Sequence, residues 1–378
     1  MEKIKYENIS GLHLELTTKC NACCPMCSRN FKGSLRKDLK MGELSLEDCK
    51  KIMPPDFIKQ LKLISVCGVY GDPIHAKDLL EILKYIYSCN QTVDIDIYTN
   101  GSVHDTSFWE NLAEVVKPYN GTVVFGIDGI GDVHSLHRCN TNYDAIIKNA
   151  TAYINAGGKA QWDYIVFKHN EHQVEEARAL SEKLGFKIFQ VKKTSRFFKN
   201  LYESDEALDS TILAYGKHPV YNSKGEITHH LELPENKCYR NNQEDNIFEI
   251  IKTYGSMSKY LDTVCIDCQA IRTHGVFISA FGEVFPCCTV YQQVCYGTVH
   301  GVTDKTELNE YNLSLTDDLS AFNRPIKDIV EGEFFNNLQN SWQCSSLTNG
   351  KPKSCSRACG KELDVHSAGH TTTIKHKG

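Results

Sequence analysis

The sequence predicts an α/β protein, a partial (β/α)6 TIM-like barrel followed by a small cysteine-rich domain with a β-hairpin. Three observations carry that expectation. From residue 11 to about 195, short apolar runs bounded by Gly, Pro and Asn alternate with longer amphipathic segments, the pattern of βα units around a parallel sheet. Six such units fit, too few for the closed eight-stranded form. The 17 cysteines are unevenly spread, crowding one loop near the start and returning densely from Val264 onward.

Taken in order, strands are expected over residues 12–17, 61–66, 93–98, 122–128, 160–167 and 187–192. Helices are expected over 46–53, 78–89, 106–119, 143–156 and 173–184. Asn170 and Gln173 form a reciprocal N-cap pattern for the last of these, and Gly185 suits its C-cap. Residues 196–262 lose the βα period, contain Pro219 and Pro234, and are expected to connect with short structure of their own. Residues 263–365 form the cysteine-rich unit, and the polar tail 366–378 is expected to fray. The barrel unit is thus residues 1–195.

Composition narrows the classes. With 41% hydrophobic and 24% charged residues the chain is ordinary for a globular protein. A net charge of −5 gives no basic footprint for nucleic acid. No run reaches the length of a membrane span and no signal-peptide apolar region opens the chain, so a cytoplasmic location is expected. In a reducing compartment so many cysteines point to metal ligation rather than disulfides.

Cys20, Cys24 and Cys27 follow the first strand in the spacing Cys-x3-Cys-x2-Cys. Three thiolates on one tight loop can hold three corners of a cubane iron–sulfur cluster, leaving the fourth iron without a protein ligand. A zinc site wants a fourth protein ligand near by, and Cys23 is jammed against Cys24. Further motifs fall at strand ends, where a barrel places function: Gly71-Asp72-Pro73 after the second strand, Asn100-Gly101 after the third, and Asp128-Gly129 at the end of the fourth. Together they resemble the radical S-adenosylmethionine (radical SAM) superfamily across the first half of the chain. That resemblance implies a 4Fe-4S cluster on the three cysteines and S-adenosyl-L-methionine as cofactor. It implies that Gly71, Asp72 and Pro73 hold the methionine amino group, that Asn100 and Asp128 bind the ribose hydroxyls, and that Met26 stands where an aromatic residue usually lies against adenine. The bland alternatives are a turn for Asn100-Gly101 and a helix cap for Asp128. Lys168, His169, Asn170, Lys192, Lys193 and Thr194 face the expected site, and His134 and His137 lack the further ligands a metal site needs.

Cys268-x13-Gly282-x4-Cys287, with a hairpin expected between the two cysteines, resembles the opening of the SPASM/Twitch extension found in part of that superfamily. The best later pair is Cys355 and Cys359, so an auxiliary Fe–S cluster of the 4Fe-4S type is expected on Cys268, Cys287, Cys355 and Cys359, with Cys265 and Cys344 as substitutes. Four thiolates suit zinc equally well. The resemblance implies an enzyme that cleaves the cofactor reductively to a 5′-deoxyadenosyl radical and removes a hydrogen atom from a substrate. The small-molecule class (sugar, aminocyclitol or nucleotide) is favoured, because the chain starts almost at the first strand and leaves no room for a peptide-recognition domain before it. A peptide- or protein-modifying maturase is the alternative, and a non-catalytic Fe–S or zinc-binding protein is the reading from another class. The partners implied are the substrate and a reductant such as flavodoxin or ferredoxin.

Overall fold

The computed structural model describes residues 3–194, 196–197, 216–241, 244–296, 298–299, 302–303, 319–361 and 371–376. Much of the connecting region, and the start of the tail, therefore lie outside the described residues.

Nine strands form one sheet: β1 (Gly11–Leu14), β2 (Leu63–Val66), β3 (Asp94–Thr99), β4 (Gly121–Gly126), β5 (Lys159–Val166), β6 (Ile188–Lys193), β7 (Gly275–Ile278), β8 (Val284–Phe285) and β9 (Thr371–Lys375). Their spatial order is β8-β7-β1-β2-β3-β4-β5-β6-β9. Strands β1 to β6 pair in sequence and all in parallel. Crossover helices α1 (Leu46–Ile52), α2 (Leu79–Cys89), α3 (Thr106–Val116), α4 (Tyr143–Asn155) and α5 (Val174–Lys183) join them. This is the expected partial barrel.

Local chemistry sets the helix starts. Ser45 and Asp48 make a reciprocal capping box on α1, Asp105 accepts from Phe108 N–H on α3, and Asn142 accepts from Ala145 N–H on α4. The apolar faces of these helices close over Trp109, Phe125, Trp162 and Phe186, all buried. One cap differs from expectation. Asn170 makes no side-chain cap; its amide donates instead to Asp128 O and Ile165 O, and Gln173 ends a short 3-10 turn before α5. Buried carbonyls at a strand end compete successfully for that amide.

A partial barrel has two open edges, each a row of unpaired backbone groups. Both are covered by chain from beyond the barrel. The β7–β8 hairpin adds β7 in parallel to β1, with Gly11 opposite Gly275. At the far edge β9 pairs antiparallel with β6, which corrects the expectation that the tail frays throughout. Its Thr-Thr-Thr-Ile run is polar yet β-branched, and it meets a strand edge in need of a partner. The connecting region contributes a hairpin of Lys217–Tyr221 and Ile227–Glu232 that packs Val220, Leu231 and Leu233 against Met26 and Phe167. Among the described residues no helix is long and apolar enough to cross a membrane.

Candidate active site

The loop after β1 carries the first cysteine group. Cys20, Cys24 and Cys27 all line one cavity of about 360 Å³ at the carboxyl ends of the barrel strands. Burial pushes the Cys20 thiol up to about 12, with Asp72 adding to the effect, and raises Cys24 further. A thiolate there needs a cationic group to make it stable. Among the described residues no three His, Cys, Asp or Glu side chains gather tightly enough for a single metal ion. A cubane is larger than an ion and asks for more widely spaced sulfurs.

The turn after β2 lies backbone to backbone against this loop. A Cβ on Gly71 would stand 1.8 Å from Thr17 O, and one on Gly68 would stand 1.9 Å from Gly71 O. Only glycine permits either approach. Asp72 N–H donates to Lys19 O at 2.8 Å. The Asp72 carboxylate, raised by burial to about 6, accepts from Thr99 Oγ1 (3.1 Å), Asn100 N (2.7 Å) and Asn100 Nδ2 (2.8 Å). Asn100 Nδ2 also reaches Asn21 Oδ1 at 3.0 Å. Gly71, Asp72 and Asn100 therefore sit on the cavity wall, locked to each other and to the cysteine loop. Pro73 lies just behind, heading the Pro73–His75 turn. Met26 lines the cavity and closes the apolar cluster beneath the connecting-region hairpin.

Asp128 is placed differently from the expected ribose contact. It is fully buried and is not part of the cavity wall. Its Oδ1 accepts from Ile165 N–H at 2.7 Å, and its Oδ2 accepts from His137 Nδ1 (2.8 Å) and Arg138 Nε (2.5 Å). Burial works to raise its pKa, but the Arg138 charge and the His137 hydrogen bond hold it well below the usual carboxylate range. The correction has a simple cause: an acid at this strand end meets three donors before it meets solvent. What reaches the wall is His137 and Arg138, which Asp128 positions. The guanidinium lies across Gly126, where a Cβ would be 2.7 Å from Arg138 Nη2. His134 accepts from Asp128 N–H through Nδ1 and faces Thr141 through Nε2, so it serves the scaffold.

Across the cavity, Lys192 pairs with the buried Asp163, and its Nζ stands 5.7 Å from the Tyr98 ring. Lys192 and Thr194 line the wall as expected; Lys168, bonded to Glu235 at 2.9 Å, does not, and neither do His169, Asn170 and Lys193. Sequence reasoning missed Asp163, Tyr98, Arg196 and Glu15. Glu15 is the most informative omission. Fully buried beneath the Gly68–Pro73 turn, it accepts from Tyr70 N–H (2.7 Å) and Gly71 N–H (3.3 Å) through Oε1, while Oε2 has no partner among the described residues. Burial raises its pKa to about 7. An acid inside the apolar run 12–18 is the signal that was available.

The second cysteine group assembles from three places. Cys268 precedes the Gln269–Arg272 turn before β7, Cys287 follows β8, and Cys355 and Cys359 lie one turn apart at the Lys353–Ala358 helix. Asp267 N–H donates to Cys359 O at 2.7 Å, joining the last segment to the first. The Cys268 thiol contacts that of Cys359 and is raised by that contact, by burial, and by Cys287 and Cys355 near by. Burial lifts Cys287 to about 11. Cys265 is exposed, and Cys344 packs by Gly350. Cys288 stands between the groups, near Cys287, Cys67 and Glu15.

Residues 14–180 match the family model described as Radical SAM superfamily. The Streptococcus suis protein SuiB, solved with bound S-adenosylmethionine, superposes with a TM-score of 0.56 at 15% identity, over 92% of this chain and 72% of that one. SuiB bound to its precursor peptide SuiA gives 0.53 at 16% identity, over 93% and 73%. BtrN in complex with AdoMet and 2-DOIA gives 0.43 at 13% identity, over 98% and 100%. No curated protein sequence matches the chain.

Proposed function

We propose that the chain, whose residues 14–180 match the Radical SAM superfamily model, is an enzyme that uses a 4Fe-4S cluster and S-adenosyl-L-methionine to abstract a hydrogen atom from a small polar molecule bound in the barrel mouth. One observation carries the reading. Three thiols share a cavity wall with a glycine turn so close-packed that no side chain could occupy it. Cys20, Cys24 and Cys27 would hold the cluster, and Gly71, Asp72 and Asn100 would receive the cofactor's polar groups. Together these bound groups supply a 5′-deoxyadenosyl radical.

The chain's own residues do the rest. Asp128 holds Arg138 and His137 at the wall, where a fixed cation suits the cofactor carboxylate. The Asp163–Lys192 pair offers one acceptor and one donor to a hydroxyl- or amine-bearing substrate. The cavity of about 360 Å³ has the volume of a small-molecule site. Met26 and Phe167 exclude water on one side. Cys268, Cys287, Cys355 and Cys359 would carry an auxiliary cluster in a Twitch/SPASM-like unit over residues 263–365. A low-potential reductant such as flavodoxin or ferredoxin, in a reducing cytoplasm, would supply the electrons. A peptide substrate is the second reading, favoured by the shared fold with SuiB, which was solved with a precursor peptide.

The test is anaerobic reconstitution with iron and sulfide, then assay for 5′-deoxyadenosine under dithionite. Wild type is expected to form it, and the C20A/C24A/C27A variant to form none while keeping about half the iron. No product from fully loaded wild type contradicts the proposal.

A further inference from the structure

The cysteine loop runs directly into an exposed hairpin, Asn30–Phe31 paired with Ser34–Leu35. Three hydrogen bonds tie the two together: Asn30 N–H to Cys27 O (3.0 Å), Asn30 Nδ2 to Cys24 O (3.1 Å) and the Cys23 thiol to Gly33 O (3.4 Å). The root of the hairpin is thus bonded to the backbone of two of the three thiol-bearing residues.

The tip is unusual. Lys32 has φ +46° and Gly33 has φ +76°, a two-residue turn with both central residues left-handed. Glycine or asparagine is the ordinary choice at the first of these; a lysine there costs on the order of 1 kcal/mol. Gly33 is wedged against the connecting-region hairpin, where a Cβ would be 2.1 Å from Asn222 O. Apolar side chains stand exposed on these two touching hairpins and just after the first: Phe31 (65%), Leu35 (43%), Met41 (50%) and Ile227 (54%).

Charge points the same way. Residues 29–41 hold five basic side chains and one acidic, a local +4 in a chain of net −5. Arg29 is buried and Arg36 pairs with Asp38, which leaves Lys32, Lys37 and Lys40 exposed and without an ion pair among the described residues. Isolated surface lysines signify little; cations interleaved with exposed apolar groups match the mixed character of a protein-docking rim and core.

Resting on the proposed function, we propose that this hairpin and the lysines behind it are the docking surface for an acidic one-electron carrier protein that serves the first site. With a flavodoxin, the anionic flavin hydroquinone becomes the neutral semiquinone as one electron leaves and no proton moves, and the cluster that Cys20, Cys24 and Cys27 would hold would take up that electron.

The test uses the anaerobically reconstituted full chain with flavodoxin as the probe. Calorimetric binding of oxidised flavodoxin at about 50 mM salt is expected to weaken at least tenfold in K32E/K37E/K40E, and to fade for wild type at about 0.5 M salt. The F31A variant is expected to lose several-fold in affinity. Cluster reduction by flavodoxin hydroquinone should slow in parallel, while 5′-deoxyadenosine formation driven by excess dithionite stays at the wild-type level. Equal flavodoxin affinities and rates in wild type and charge-reversed variant overturn the docking surface, give it to a second copy or a substrate peptide, and leave the first site's reading intact. A wild-type affinity indifferent to salt overturns it without any variant. No 5′-deoxyadenosine from wild type with dithionite overturns the functional reading, and the docking surface with it.

Discussion

The two cysteine groups of this molecule are built in opposite ways. The first is three thiols on one loop, spread around the wall of a cavity and braced from outside by Glu15, Asp72 and Asn100. The second is four thiols drawn from a turn, a strand end and a helix, with Cys268 in contact with Cys359 and near the other two. Three ligands around an opening would leave room for something else to bind; four converging from separate elements would not. The same contrast separates catalytic from structural metal sites elsewhere in proteins. Under the proposed function, chemistry belongs to the first group and support or electron storage to the second.

That contrast can be broken most severely by single cysteine variants. C24A is expected to abolish 5′-deoxyadenosine formation, a loss of at least a thousandfold by chromatographic assay. C268A should lower iron content by about half while cofactor cleavage stays within several-fold of wild type. Equal losses in both would erase the distinction between the groups.

Next in size is the scaffold beneath the first group. Replacing Asp128 by Asn leaves the half-buried Arg138 without its counter-charge, a cost of about 3 kcal/mol and a fall in Tm of roughly 4 °C. Because the folded pKa of Asp128 lies below its unfolded value, its stabilisation is present above about pH 4 and is lost as acid protonates the folded carboxylate. Calorimetric melting against pH should show wild type and D128N converging in acid.

Smaller effects sharpen the account of the turn. G71A forces a Cβ toward Thr17 O and should weaken cofactor binding at least tenfold, about 1.4 kcal/mol by titration calorimetry. Glu15 has the opposite linkage to Asp128. Its folded pKa is raised from 4.5 to about 7, so its contribution is fullest below pH 4.5 and declines as pH rises to about 7. E15Q should remove that slope from the melting curve, with little change below pH 4.5.

Much of the barrel was legible from sequence because its strands and helices carry strong local signals. Runs such as Asp94–Thr99 and helices such as Leu79–Cys89 announce themselves by their period. The cysteine sets stand out in the sequence as spacing. Asp128 was not, because its partners His137 and Arg138 lie nine and ten residues on and only the fold turns them back. Glu15 escaped because its role depends on a turn more than fifty residues away. The tail strand escaped because pairing with β6 is a tertiary event that a polar segment does not advertise.

The central claim is an iron left open by the three loop cysteines, and 57Fe Mössbauer spectroscopy of the reconstituted protein tests it most directly. Adding S-adenosylmethionine should change the signal of one iron in the first cluster and leave the rest unaltered, in C268A as in wild type. A spectrum indifferent to the cofactor, or a change confined to the second group, would contradict the account.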